Sequence, residues 1–175
     1  EWLVEHVAPL LAKLDPAERH YFGQDFARST DLSVLVPLVI SAGLLRRVPF
    51  LIEMRKVPFK QQEQILFYVV DQLPNFMAGA LDARGNGEYL AEVAAQRYGW
   101  TRIEQVKASP QWYGDNMPKY KSALEDGHVQ LPADVDLLAD HGLFQQVGGY
   151  AKIPDNAKTK GTDGKPRHGD AAMAC

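Results

Sequence analysis

The sequence predicts an α/β domain. Its sheet is mixed, with five or more strands, three antiparallel strands first and parallel strands after, and helices cover both faces. Three observations carry this. Three strand-like runs follow one another with links at 28–30 and 41–43 that are too short for a helix, so they pair as an antiparallel meander. From Phe59 onward helical and strand-like segments alternate, the pattern of parallel crossover connections. Residues 76–83 are almost continuously apolar, as a central strand buried on both faces must be.

The elements follow in order. Residues 1–14 have helical spacing, with Leu3, Val7, Leu10, Leu11 and Leu14 on one face, and Pro16 ends the helix. The meander comprises 20–27, then 31–40, rich in Val and Leu, then 44–57, which alternates in part. A helix over 59–73 is opened by Pro58 and stopped before Pro74. After the buried strand, 87–98 is helical and ends at Gly99, a natural C-cap. Residues 101–108 form a fifth strand, 117–125 and 133–147 are helices, and 150–153 is a short strand. Residues 155–167 are polar, lysine-rich and contain Gly161 and Gly164, which reads as a mobile loop; 168–175 opens a last helix.

Length and composition set the outer bounds. The 175 residues suffice for one domain with a buried core, and 46% hydrophobic with 23% charged residues is ordinary for a globular protein. The chain starts at Glu1 and stops just inside a helix, so we expect a domain cut from a longer parent, with 1–16 serving as the link from an upstream domain. A net charge of -3 does not announce a nucleic-acid binder. Residues 151–175 nevertheless carry five basic side chains against three acidic ones, a local +2 whose ordinary meaning is a solvated tail. Cys175 is the one cysteine, which excludes an intrachain disulfide and a cysteine-based zinc site. The most apolar stretch, 32–45, is broken by Ser33, Pro37, Ser41 and Gly43 and falls short of the roughly 20 residues that span a bilayer.

Three aspartates stand where a solvated surface residue would not. Asp25 lies inside the apolar run Tyr21-Phe22-Gly23-Gln24-Asp25-Phe26-Ala27, Asp82 ends Ala78-Gly79-Ala80-Leu81-Asp82-Ala83, and Asp170 is followed by Ala171-Ala172-Met173-Ala174. A carboxylate in apolar surroundings is costly unless it is paired or binds a metal. Taken singly, each has an ordinary reading: Asp25 paired with a core arginine, Asp82 as a turn former, Asp170 as a helix N-cap. Taken together, a first strand, a fourth strand and a last helix each supply one acid, and in a sheet of this order the three can converge. Hard oxygen ligands point to Mg²⁺ or Mn²⁺ rather than zinc.

Residues 24–36, Gln-Asp-Phe-Ala-Arg-Ser-Thr-Asp-Leu-Ser-Val-Leu-Val, resemble the first hairpin of phage large terminase nuclease domains. Leu81-Asp82-Ala83-Arg84-Gly85-Asn86-Gly87 and His168-Gly169-Asp170 resemble the second and third acidic motifs of that family, with the type found in Mu-like transposable phages the nearest. The resemblance runs from about Tyr21 to Ala174. It implies a ribonuclease H-like fold and a headful-type endonuclease that cuts double-stranded viral DNA during genome packaging with little sequence preference. Asp25, Asp82 and Asp170 match the family's metal-binding, catalytic acids, and Asp31 matches a further acid of some members, although a turn residue is an equal reading there. Two ions are expected with substrate, Asp25 bridging them and Asp82 and Asp170 holding one each. Two departures are Ala27, where relatives often carry Gly, and Asp82, one methylene shorter than the Glu of some members.

Arg28, Arg84, Lys158, Lys160, Lys165, Arg167 and His168 are the candidates for DNA-backbone contacts, which bring affinity without reading sequence. His168 is also placed to assist proton transfer, though a surface-loop histidine is the commoner meaning. The resemblance further implies an upstream packaging ATPase, a small terminase subunit and a portal as partners, no membrane, and action in the host bacterial cytoplasm. Other classes stay in view. A resolvase or transposase core would share the acids, a non-catalytic DNA clamp would not need all three, and an actin-like ATPase would need a second glycine-rich phosphate loop where 81–87 offers only Gly85 and Gly87.

Overall fold

A computed structural model of the protein describes residues 1–27 and 32–175. A π-helical turn over Leu3–Val7 runs into α1 (Ala8–Leu11). Pro9 sits at the junction and has no N–H to continue the regular helical ladder. The helix is shorter than 1–14, and it is more than a tether: Val7 and Leu11 are buried in the core.

The meander follows as β1 (Arg19–Asp25), β2 (Leu32–Ile40), β3 (Arg46–Arg47) and β4 (Ile52–Arg55). β2 pairs antiparallel with β1, β3 and β4. The expected third strand is thus two short ones, interrupted around Pro49, which cannot donate to a ladder. Then come α2 (Phe59–Val70), β5 (Phe76–Asp82), α3 (Gly87–Tyr98), β6 (Ile103–Val106), α4 (Pro110–Glu125), β7 (Val129–Gln130) and α5 (Val135–His141). β5 lies parallel to both β1 and β6. The result is a seven-stranded mixed sheet in the order β6-β5-β1-β2-β3-β7, with β4 also on β2.

Alternation along the strands divides the core. Phe22, Leu35, Ile52, Met54 and Leu81 point to one face, where α1, α2 and α3 cover them. Leu32, Val34 and Val36 point to the other and meet Leu137 of α5 and the last helix, α6 (Asp170–Ala174). β2 is buried almost throughout because both faces are covered, which is why it reads as a continuous Val/Leu run.

Three segments depart from expectation. α4 begins at Pro110 rather than near 117, because Ser109 caps it by accepting the Trp112 N–H at 3.1 Å and Pro110 suits a first helical turn. The expected helix 133–147 stops at His141; the chain then forms a hairpin of β8 (Gln145–Val147) and β9 (Tyr150–Lys152) around Gly148 and Gly149. The basic segment 155–167 holds a second hairpin, β10 (Thr159–Lys160) and β11 (Pro166–Arg167). Its tip is tied down rather than open: the Thr162 N–H and hydroxyl both donate to Asp136 of α5, and Arg55 pairs with Asp163 at 3.2 Å. Among the described residues no helix is long and apolar enough to cross a membrane.

Candidate active site

Asp25 and Asp82 close neighbouring parallel strands, so both lie at the carboxyl-end edge of the sheet, the edge at which open α/β sheets hold ligands. The last registered pair of β1 and β5 is Gln24 with Leu81, and the two aspartates are the next residue on each. Leu81 points into the helix-covered core, so Asp25 and Asp82 emerge together on the opposite face. That face is the one α6 packs against. A Cβ on Gly23 would stand 2.0 Å from the carbonyl oxygen of Ala174, which shows how closely the helix lies on β1. Asp170 opens α6, and the three carboxylates line a single cavity of about 430 Å³.

The backbone around Asp25 is held from behind. The Ser33 hydroxyl donates to the Ala27 carbonyl at 2.8 Å and accepts the Ala27 N–H at 2.7 Å. Gln62 of α2 donates to the carbonyls of Ala27 and Val57 at 3.2 and 2.9 Å. Both side chains belong to buried residues, so this strand end is fixed by the fold rather than by solvent.

The electrostatics are those of crowded acids. Burial, and then the charges of Asp170 and Asp82, hold the Asp25 carboxyl well above the usual carboxylate range, against the pull of Arg84 and the Phe26 N–H. Asp170 is also raised, first by burial, with Asp140 adding to it and the N–H groups of His168 and Asp170 opposing. Asp82 instead has a cation beside it, the Arg84 Nε at 2.9 Å from its Oδ1. Asp170 is not the N-cap; Gly169 is, at φ +86°, and its missing side chain leaves room for Ile153, whose Cδ1 would lie 2.3 Å from an added Cβ.

The cluster suits a hard divalent cation, because its donors are carboxylate oxygens whose mutual repulsion a cation would relieve. Among the described residues no three His, Cys, Asp or Glu side chains are gathered tightly enough to cage an ion as they stand. To take part in holding an ion, Asp82, turned to Arg84, would have to share or release that partner.

The other expected site residues fall into three groups. Arg84 and His168 line the same cavity as the acids. Lys158, Lys160 and Lys165 are exposed on or beside the β10–β11 hairpin. Arg28 and Asp31 lie outside the described residues. Arg167 requires a correction. It is 1% exposed, and its guanidinium pairs with Glu53 and Asp140 inside the protein, which leaves it no face to offer DNA.

Two cavity residues carry no signal in the sequence. Tyr113 of α4 stacks on Tyr150 at 5.8 Å between ring centres, and its hydroxyl is pushed up, first by burial and then by Asp25, Asp82 and Asp155, with Arg84 opposing. Asp155 brings a further carboxylate to the rim. Their seats depend on α4 and the β8–β9 hairpin, the elements least evident from local pattern.

No family model matches the chain. Two curated proteins are similar over nearly its whole length. The Mu-like prophage FluMu protein gp28 of Haemophilus influenzae is 41% identical over 174 residues, covering 99% of this chain and 34% of its own. The probable terminase, large subunit gp28, of Escherichia phage Mu is 40% identical over 175 residues, covering 99% and 32%. The chain therefore spans about a third of the length of these relatives. Among solved structures, the large terminase nuclease of thermophilic phage G20c with bound magnesium superposes with a TM-score of 0.67 at 18% identity, covering 91% of this chain and 79% of that one. The g2p large terminase nuclease domain of bacteriophage SPP1 with bound Mn gives 0.53 at 14% identity, covering 96% and 87%. At such identities these structures establish the fold, which is ribonuclease H-like.

Proposed function

We propose that the chain, which is similar over nearly its whole length to the gp28 proteins of Haemophilus influenzae and phage Mu, is a metal-dependent nuclease domain that cuts double-stranded DNA during genome packaging. The observation that carries the reading is the meeting of Asp25, Asp82 and Asp170 in one cavity at the carboxyl edge of β1 and β5. It is supported by the structural neighbours, terminase nucleases solved with bound magnesium, manganese, zinc or cobalt.

Asp25, whose carboxyl feels the charges of both Asp170 and Asp82, would be the ligand shared between ions, and Asp82 and Asp170 would each hold one. Divalent ions held there, two with substrate and Mg²⁺ or Mn²⁺ by the ligand chemistry, would supply a water of lowered pKa and neutralise charge on the phosphate. Arg84 has a second partner available in this scheme. With the charge of Asp82 shared by a bound cation, the Arg84 guanidinium would be able to turn to a phosphate oxygen, a geometry its planar fork suits. His168, in the same cavity, would be able to assist proton transfer, giving a proton to the leaving oxygen or taking one from the attacking water. The exposed Lys158, Lys160 and Lys165 hold the DNA backbone, with Arg28 in the same role. In the longer relatives this domain would follow a packaging ATPase through residues 1–16, meet a small subunit and a portal, and work in the host cytoplasm.

The experiment is direct. The 175-residue domain should nick and linearise supercoiled plasmid in Mn²⁺ or Mg²⁺ with little sequence preference, and excess EDTA should stop it. Cleavage that persists in EDTA defeats the proposal.

The hairpin lysines make a separate prediction. Each Lys–phosphate contact releases counterions, so replacing Lys158, Lys160 and Lys165 with Ala should lower the slope of log affinity against log salt by up to about 3 and weaken binding on all sequences alike. A triple mutant with an unchanged slope would move the DNA path elsewhere on the surface.

A further inference from the structure

We propose that Arg167 is a positioning residue that sets the place of Asp170, an inference that rests on the reading of Asp170 as a metal ligand. Four hydrogen bonds consume its fork. Nη1 and Nη2 donate to the Glu53 carboxylate of β4 at 3.0 and 2.6 Å, and Nε and Nη2 donate to the Asp140 carboxylate of α5 at 3.0 and 2.9 Å. Asp140 is fully buried, and the oxygen that accepts from Nη2 also accepts the Ala171 N–H at 3.2 Å. A continuous path therefore runs from the sheet through Arg167 and Asp140 to the first turn of α6.

The four-residue stretch from Arg167 to Asp170 is held at both ends by this path. Arg167 fixes its start, and the Asp140–Ala171 bond fixes the residue after Asp170. Between them Gly169 turns in the left-handed region with Ile153 packed into the space a side chain would need. A link so held gives Asp170 little room to wander. The arrangement also accounts for the residue type. One guanidinium serves two carboxylates on two different elements bidentately, and an ammonium cannot reproduce that fork.

Arg167→Lys is the test. It keeps a positive charge in the interior but loses the double fork. We expect a folded protein whose DNA affinity and salt slope match the parent. The metal-facing properties should change: Mn²⁺ affinity of the DNA-free domain, read by calorimetry, should fall by about 10- to 100-fold, the range seen when residues behind metal ligands are changed. Cleavage at saturating DNA should fall with it, and added Mn²⁺ should recover part of the loss. If Arg167→Lys does not fold, Asp140→Asn, which leaves the Glu53 arm intact, should show the same loss of Mn²⁺ affinity. A folded variant of either kind that binds Mn²⁺ as tightly as the parent overturns the inference. So does a salt slope reduced by about 1 with Mn²⁺ affinity kept, which would make Arg167 a DNA contact. A parent domain that takes up no Mn²⁺ at all fails in a different way, removing the metal reading of the acids and this inference with it.

Discussion

Asp25→Asn is expected to lower Mn²⁺-dependent plasmid cleavage by at least about a thousandfold, equivalent to about 4 kcal/mol of transition-state stabilisation. The substitution keeps size and shape but removes the anionic oxygen at the centre of the cluster. Its effect on stability should have the opposite sign. Because the folded-state pKa of Asp25 is raised, its ionisation works against folding, and the penalty grows as pH rises from the unfolded-state value toward the folded one and levels off above it. In EDTA the variant should therefore melt higher than the parent at neutral pH, and the gap should close as the solution is acidified and the parent carboxyl takes up its proton in both states. Melting curves across pH, paired with a nicking assay, check both halves. A variant that cleaves like the parent would remove Asp25 from the active site. One that melts no higher at neutral pH would contradict the crowding of the three acids.

Gly23→Ala is expected to destabilise the domain by about 1–3 kcal/mol, the usual range for overpacking. The added methyl would meet a backbone oxygen, that of Ala174, at 2.0 Å, so no side chain can rotate out of the way and α6 must move off β1. Because Asp170 rides on that five-residue helix, cleavage should drop with it, by tenfold or more on the order of a misplaced catalytic group. Gly114→Ala is the control. It lies in α4 with nothing near its added methyl and should be neutral or gain up to about 1 kcal/mol. If Gly23→Ala melts and cleaves like the parent, α6 does not seat on β1 as described.

How far the sequence could be read depended on whether the controlling contacts were local. β1, β2 and β5 announced themselves through burial, since strands covered on both faces must be apolar and an aspartate at their ends stands out. α3 was legible to its last residue, because Gly99 ends it. The late elements were obscured. Gly114 and Pro118 hide the first half of α4, whose start depends on the Ser109 cap, and Tyr113 was lost with it. Arg167 looked like one more cation in a basic run. What turns it inward, Glu53 and Asp140, lies 114 and 27 residues away, a distance that no local pattern reports.

The seat of Asp170 on α6 has a consequence for synthesis. Asp25 and Asp82 leave the ribosome long before Asp170, and β1, β2, β4 and β5 already contain most of the sheet's centre. Completing the cluster then waits on a long-range closure, in which α6 folds back onto β1 from the far end of the chain. A nascent or prematurely released polypeptide that stops before His168 carries two of the three acids and no means of gathering the third. Under the proposed function, a chain that stops before His168 should therefore show no metal-dependent cleavage, even if its sheet has formed.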